Sequence, residues 1–350
     1  MHPSSPSLSE TEKGPTDLPS LSTSMHSTPE PMPLPLPNFL PVAPLPVLAQ
    51  LNAHGELADG LLTVANVVMA DPFRYEAFFR RLREIGQGVD ITLDNGLIEQ
   101  GYALPPGVMM AAAQLLHAKT VVLPDVIANK KATLEASREA AKLYGEVHAE
   151  VTLMGVAQGR SLEEFVICGL ELAKVADVLA VPRHSVARVG TRSEIIHQLY
   201  EGTGKPIHLL GFSDDVLDDL NCARMEGVTG IDSAMPIWFG LYGYPIEAYW
   251  GDPDINPEHR KRPLNYWGLG PIDDLVVENI RKVRTWLRGV TPVPTPEVHA
   301  EPAETSPVRS SSSEKPQVHS KSAKASRSSG HQGSFLKPRS SEQGQKSSRS

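Results

Sequence analysis

Four polar side chains stand at the ends of short apolar runs, where a charge or amide is costly unless it is solvated, paired or used. Asp94 ends "VDITLDNG", Asp125 ends "TVVLPDVI", Gln158 ends "AEVTLMGVAQG", and Asp232 sits in "VTGIDSAMP". Two carboxylates can divide labour, one as nucleophile and one as general acid/base. A third, with a carboxamide, can read the N–H donors on the edge of a guanine-like base. Plainer readings exist for three of them. Asp125 suits the N-cap of the next helix, Asp94 precedes the turn pair Asn95-Gly96, and Gln158 precedes Gly159 in a loop. Asp232 fits a cap poorly, because the "SAMPIWFGLYG" after Asp232 is apolar and turn-rich. Covalent catalysis by a carboxylate at a glycosidic carbon fits this set, and so do other barrel chemistries.

These residues need elements to bring them together. From residue 45 onward, apolar runs alternate with helical patterns. "PVLAQLN" (46–52) reads as the first strand. "ADPFRYEAFFRRLREIG" (70–86) reads as a helix, with Asp71 at the N-cap, Pro72 in the first turn and Gly86 at the stop. Strands ending at Asp94, Asp125, Gln158, Pro182 and Gly211 follow, then the strand of Asp232, with helices between. Ser161 and Glu164 have capping-box spacing. Seven strands with six helices predict parallel βαβ units. With no GxGxxG or Walker loop, a closed α/β barrel, a (β/α)8 TIM-type fold, is expected rather than an open doubly wound sheet. The eighth strand is read at "YPIEAYW" (244–250) and the last helix at "DLVVENIRKVRTWLRG" (274–289). Such barrels place chemistry at the C-terminal strand ends, so the three carboxylates and the amide are expected at one mouth.

Composition bounds the rest. Residues 1–44 are rich in Pro, Ser and Thr, and 292–350 are Ser-rich and basic; both are expected to be disordered tails. The middle, 45–291, has the length of one catalytic barrel domain. The last 50 residues carry +5 and the other 300 carry −13, within a total of −8. A basic flexible tail tethers some proteins to nucleic acid and merely solubilises others. The two cysteines, Cys168 and Cys222, make no CxxC pattern, so neither a disulfide framework nor a cysteine zinc site is expected. The start lacks a signal-peptide pattern and no 18-residue apolar run occurs, so a cytoplasmic, non-membrane protein is expected. "EHRKRPLNYWG" (258–268) is basic and aromatic. Arg260, Lys261 and Arg262 could contact phosphates, and Tyr266 and Trp267 could stack on a base; a plain surface loop is the alternative.

The ordered series "LDNG", "LPDVI…ATLEAS", "GVAQGRSLEEF", "AVPR", "HLLGF" and "GIDSAMP", over about residues 89–236, resembles the queuine/archaeosine tRNA-guanine transglycosylase superfamily. Within it the series looks like the DNA-modifying branch, the 7-deazaguanine transglycosylases encoded by phages. The resemblance implies a (β/α)8 fold and exchange of guanine in a polynucleotide for a 7-deazaguanine base through a covalent aspartyl intermediate. In a phage this is DNA hypermodification that protects against restriction. The family nucleophile lies four residues before a proline, as Asp232 lies before Pro236. The Asp of the family's "DSGGFQ", assigned to acid/base work, corresponds to Asp94, with Asn95 and Gly96 beside it. The base-reading Asp corresponds to Asp125, and the "QG" pair to Gln158 and Gly159. The Gly-rich loop after the fifth strand falls at Pro182 and Arg183. Two departures stand out. "NGLIE" replaces "SGGFQ", which removes the stacking aromatic. The CxCxxC…H zinc module of the tRNA enzymes is also missing, so no cofactor is expected, and DNA, rather than tRNA, is the expected partner. A tRNA exchanger and a non-catalytic nucleic-acid-binding paralogue remain alternatives, and a homodimer is left open.

Overall fold

The structure is a computed structural model that describes residues 36–147, 150–186, 188–213, 215–250, 272 and 274–289, without the side chains of residues 184, 185, 249 and 250. The elements run β1 (Asn38–Pro41), α1 (Leu45–Ala53), β2 (Leu61–Val64), α2 (Ala65–Ala70), α3 (Pro72–Glu84), β3 (Ile91–Asp94), α4 (Leu97–Gln100), α5 (Pro106–Leu116) and β4 (Thr120–Val122). They continue with α6 (Lys130–Val147), β5 (Thr152–Val156), α7 (Leu162–Leu172), β6 (Val178–Pro182), α8 (Arg183–Val186), α9 (Arg192–Thr203) and β7 (Ile207–Leu210). The chain closes with α10 (Val216–Cys222), β8 (Val228–Ser233), α11 (Met235–Leu241), a 3-10 turn (Ile246–Trp250) and α12 (Asp274–Leu287). The strands pair in parallel in the order β1-β8-β7-β6-β5-β4-β3-β2. A parallel bridge between Val42 and Leu62 joins the two ends of that order. The molecule is therefore a (β/α)8 barrel, as the alternating pattern predicts.

The beginning and end of the barrel differ from expectation. Residues 46–52, expected as a strand, lie in α1, where Leu45, Leu48 and Leu51 recur at helical spacing and are buried. Pro46 occupies the first turn, where its missing N–H leaves no bond unmade. The first strand is "NFLP", inside the segment assigned to the N-terminal tail, so the barrel begins at residue 38 rather than 45. Strand β2, "LLTV", was not foreseen. Residues 244–250, expected as the eighth strand, end in the 3-10 turn. Asp232 thus lies on the eighth strand, paired to the first. Residues 1–35 and 290–350, with the expected tails, lie outside the described residues.

The helix ends match expectation only in part. Pro72 opens α3, and Asp71 ion-pairs with Arg74 rather than capping with its side chain. Ser161 accepts from the Glu164 N–H, while Glu164 Oε2 accepts from the Arg160 N–H, so the box closes one residue early. Cys168 and Cys222 are buried and unbridged in α7 and α10. Helix α12 packs on α11 so closely that a Cβ at Gly240 would fall 2.5 Å from the Val276 Cα. Asn279 of α12 donates to Pro236 O (3.1 Å) and Tyr244 O (3.0 Å) and accepts from the Ile246 N–H (2.9 Å), fixing the chain after Asp232. Among the described residues no helix is long and apolar enough to cross a membrane.

Candidate active site

Alternation along a strand sends every second side chain to one face, and register extends that face around the sheet. Val64 pairs with Asp94, Val122 with Met154, Val156 with Ala180, Ala180 with His208, His208 with Gly230, and Asp232 with Leu40. Val122, Met154, Val156 and Ala180 form a small apolar cluster apart from the large core that the helices cover. That second cluster fills the barrel interior. By parity Thr92, Asp94, His208 and Asp232 share its face, so one side of the interior is polar.

Asp232, 7 % exposed, is held on one oxygen. Its Oδ1 lies 3.0 Å from His208 Nε2 and accepts from the Gly211 N–H at 3.4 Å. With the imidazole proton on Nε2, the ring donates to the carboxylate. Among the described residues Oδ2 carries no hydrogen bond. Asp94 is placed differently. Its Oδ1 accepts from the Gly96 N–H at 2.8 Å. Burial pushes its pKa up to about 8, with Glu99, Asp125 and Asp232 adding negative charge nearby. The two carboxylates expected to divide labour therefore stand in unlike surroundings.

Asp125 is the centre of a hydrogen-bonded group. Asn95 Nδ2 donates to its Oδ1 at 2.9 Å and to Leu123 O at 2.9 Å. Gln158 Nε2 donates to its Oδ2 at 2.7 Å, while Gln158 Oε1 accepts from the Ala128 N–H at 3.1 Å. Burial pushes Asp125 up to about 6 against the lowering effect of those two amides. Asn95 Oδ1 accepts from the Leu97 N–H, so the Asn95 amide is fully engaged and serves to hold Asp125. Asp125 does not cap α6; Asn129 Oδ1 accepts from the Ala132 N–H there.

The glycines explain local close approach. At Gly159 a Cβ would lie 2.4 Å from the Phe165 N, so a glycine lets the start of α7 come up behind Gln158. Gly96 has φ +77 and a Cβ there would meet Asn66 Oδ1 at 2.9 Å. Asn66 follows β2 and its Oδ1 is buried with no hydrogen-bond partner among the described residues. Pro182 ends β6. Arg183 lies over Gly211 and donates through Nη1 to Phe212 O at 2.6 Å. Behind them Arg192, 3 % exposed, donates to Val181 O, Leu210 O, Gly211 O and Asp219, tying the ends of β6 and β7 together. Arg260, Lys261, Arg262, Tyr266 and Trp267 lie outside the described residues. Among the described residues no group of three or more His, Cys, Asp or Glu side chains could hold a metal ion.

Sequence reasoning missed His208, Asn66 and Arg192. His208 left one signal, a basic residue inside the apolar run "PIHLLGF".

Fold and site together define a (β/α)8 barrel whose polar mouth gathers three carboxylates. No protein-family model matches the chain and no curated protein is similar to it. Among solved structures it is similar to the YdjI aldolase from Escherichia coli K12, at 11% identity over 73% of this chain and 88% of that one, with a TM-score of 0.44. A likeness at that level carries no argument about activity.

Proposed function

We propose that the protein is an enzyme that exchanges guanine in DNA for a 7-deazaguanine base through a covalent intermediate on Asp232. The observation that carries this reading is the pair of unlike carboxylates on the interior face. Asp232 is anchored on Oδ1, with Oδ2 unbonded among the described residues, and Asp94 is pushed up to about 8 by burial. In the proposed sequence a guanine is first flipped out of the duplex, since a stacked base buries its glycosidic bond. Asp125 and Gln158 accept from and donate to the base edge. Asp232 attacks C1′, the C1′–N9 bond breaks, and its electron pair goes to N9. Asp94, protonated at neutral pH, gives its proton to the departing base. The incoming 7-deazaguanine returns a proton to Asp94, its N9 attacks C1′, and the ester bond to Asp232 breaks. Atoms and charge balance over the cycle, and no cofactor is consumed. DNA is preferred to tRNA because the sequence lacks the zinc-module cysteines of the tRNA enzymes it resembles.

The test is incorporation of labelled guanine into duplex DNA and into tRNA, side by side, with wild type and Asp232→Asn. Wild type should label DNA and form a denaturation-resistant adduct, and Asp232→Asn should do neither. Labelling of tRNA alone would replace DNA by tRNA as substrate. An active Asp232→Asn protein would remove Asp232 as nucleophile.

A further inference from the structure

His208 sits in the barrel interior, on the face where β4 to β6 supply Val122, Met154, Val156 and Ala180. A buried imidazole needs a partner there, and it has one in Asp232. The seat beneath the ring is equally specific. His208 and Gly230 are register partners across β7 and β8. A Cβ on residue 230 would lie 2.9 Å from His208 Nδ1 and 3.3 Å from its Cε1. The contact with Nδ1 is too close, and the same Cβ would also crowd Asn38 O at 3.3 Å, so a larger residue at 230 would push the ring away. Glycine within a strand weakens it and marks a close approach; here the approaching group is the imidazole. The register shifts at Ile207/His208, which sets the histidine against Gly230 and two residues short of Asp232. The ring thus spans from Gly230 to the carboxylate, and the Gly211 N–H supports the same oxygen.

We propose that His208, seated on Gly230, is a positioning residue for Asp232: it fixes Oδ1 and thereby presents Oδ2 as the oxygen that attacks. This rests on the reading of Asp232 as nucleophile. It adds that Gly230 and His208 work as one unit, so loss of either misorients the carboxylate without disturbing the base-reading group around Asp125.

The test compares His208→Leu, His208→Gln, Gly230→Ala and the Gly230→Ala/His208→Leu double variant in base exchange, with melting curves to confirm folding. Removal of one hydrogen bond to a charged group corresponds to a loss of about 10- to 100-fold. We expect that loss in kcat for His208→Leu, with KM for DNA within about twofold of wild type. His208→Gln, which keeps an N–H donor, should recover part of the rate. Gly230→Ala should resemble His208→Leu, and the double variant should be no slower than the worse single one. A His208→Leu kcat within about twofold of wild type, or additive losses, would overturn the proposal. A second readout needs no activity. In 15N-histidine-labelled protein, the protected imidazole N–H signal that His208→Gln removes should also vanish in Asp232→Ala. Its persistence in Asp232→Ala overturns the pairing whether or not the protein exchanges bases, whereas absence of exchange in wild type with the signal behaving as expected counts against the transglycosylase reading alone.

Discussion

A carboxyl that keeps its proton to about pH 8 is a donor at neutral pH, and for Asp94 this has two measurable consequences. The first concerns rate. Exchange should fall as pH rises through about 8, and Asp94→Asn should abolish both the activity and that limb. The second concerns stability. The unfolded chain releases this proton at about 3.9, whereas the folded protein holds it to about 8. Between those values the unfolded state binds fewer protons, so the Asp94 contribution to stability declines as pH rises across that window. Asp125, raised to about 6, acts in the same direction over the lower part of it. Urea unfolding at pH 5 and pH 8 should show Asp94→Asn losing less stability over this interval than wild type. An equal or larger loss in the variant would contradict the assignment. Asp94, Asp125, Gln158 and Asp232 were legible because each interrupts or ends an apolar run. His208 was hidden within a run, and Asn66 lies in "LLTVANVVMA", where strand passes into helix with no break in apolarity.

Strands β3 to β8 were legible at the scale of elements because buried parallel strands read as continuous apolar runs closed by polar residues. The first two strands were not. Prolines surround "NFLP", and they argue against a strand wherever backbone N–H donors are needed. The Val42 N–H nevertheless reaches Ser233 O at 3.2 Å, so pairing continues past Pro41. The apolar run 45–52 suited a strand in length, yet its three-residue spacing of leucines is the helical one that packing selects. Packing also explains Gly159, which the resemblance placed in the family's "QG" pair. Gly159→Ala should destabilise the fold by about 1–3 kcal/mol, the usual penalty of overpacking, because the new methyl meets backbone at the start of α7. A melting temperature equal to wild type would show that α7 can retreat without penalty.

The whole barrel is held shut where its two ends meet. Helix α12 sends Arg281 and Arg284 to Glu56, in the turn between α1 and β2. Arg284 Nη2 also donates to the Glu56 carbonyl at 2.7 Å, and Arg288 reaches Asp59 at 3.0 Å. Glu56 and Arg284 are 5 % and 8 % exposed, so this is a buried pair. Breaking such a pair from one side leaves a buried charge and costs about 3 kcal/mol or more. Arg284→Met should lower urea stability by that order, and a change below about 0.5 kcal/mol, typical of a surface pair, would mean the clasp is dispensable. Closure matters to the site because β8, the strand that carries Asp232, pairs with β1, which the bridge to β2 completes. The most direct test of the central claim remains labelled-guanine incorporation into duplex DNA by wild type and by Asp232→Asn. Wild type should incorporate label and form a denaturation-resistant adduct while Asp232→Asn does neither; incorporation by Asp232→Asn at the wild-type rate would contradict the account.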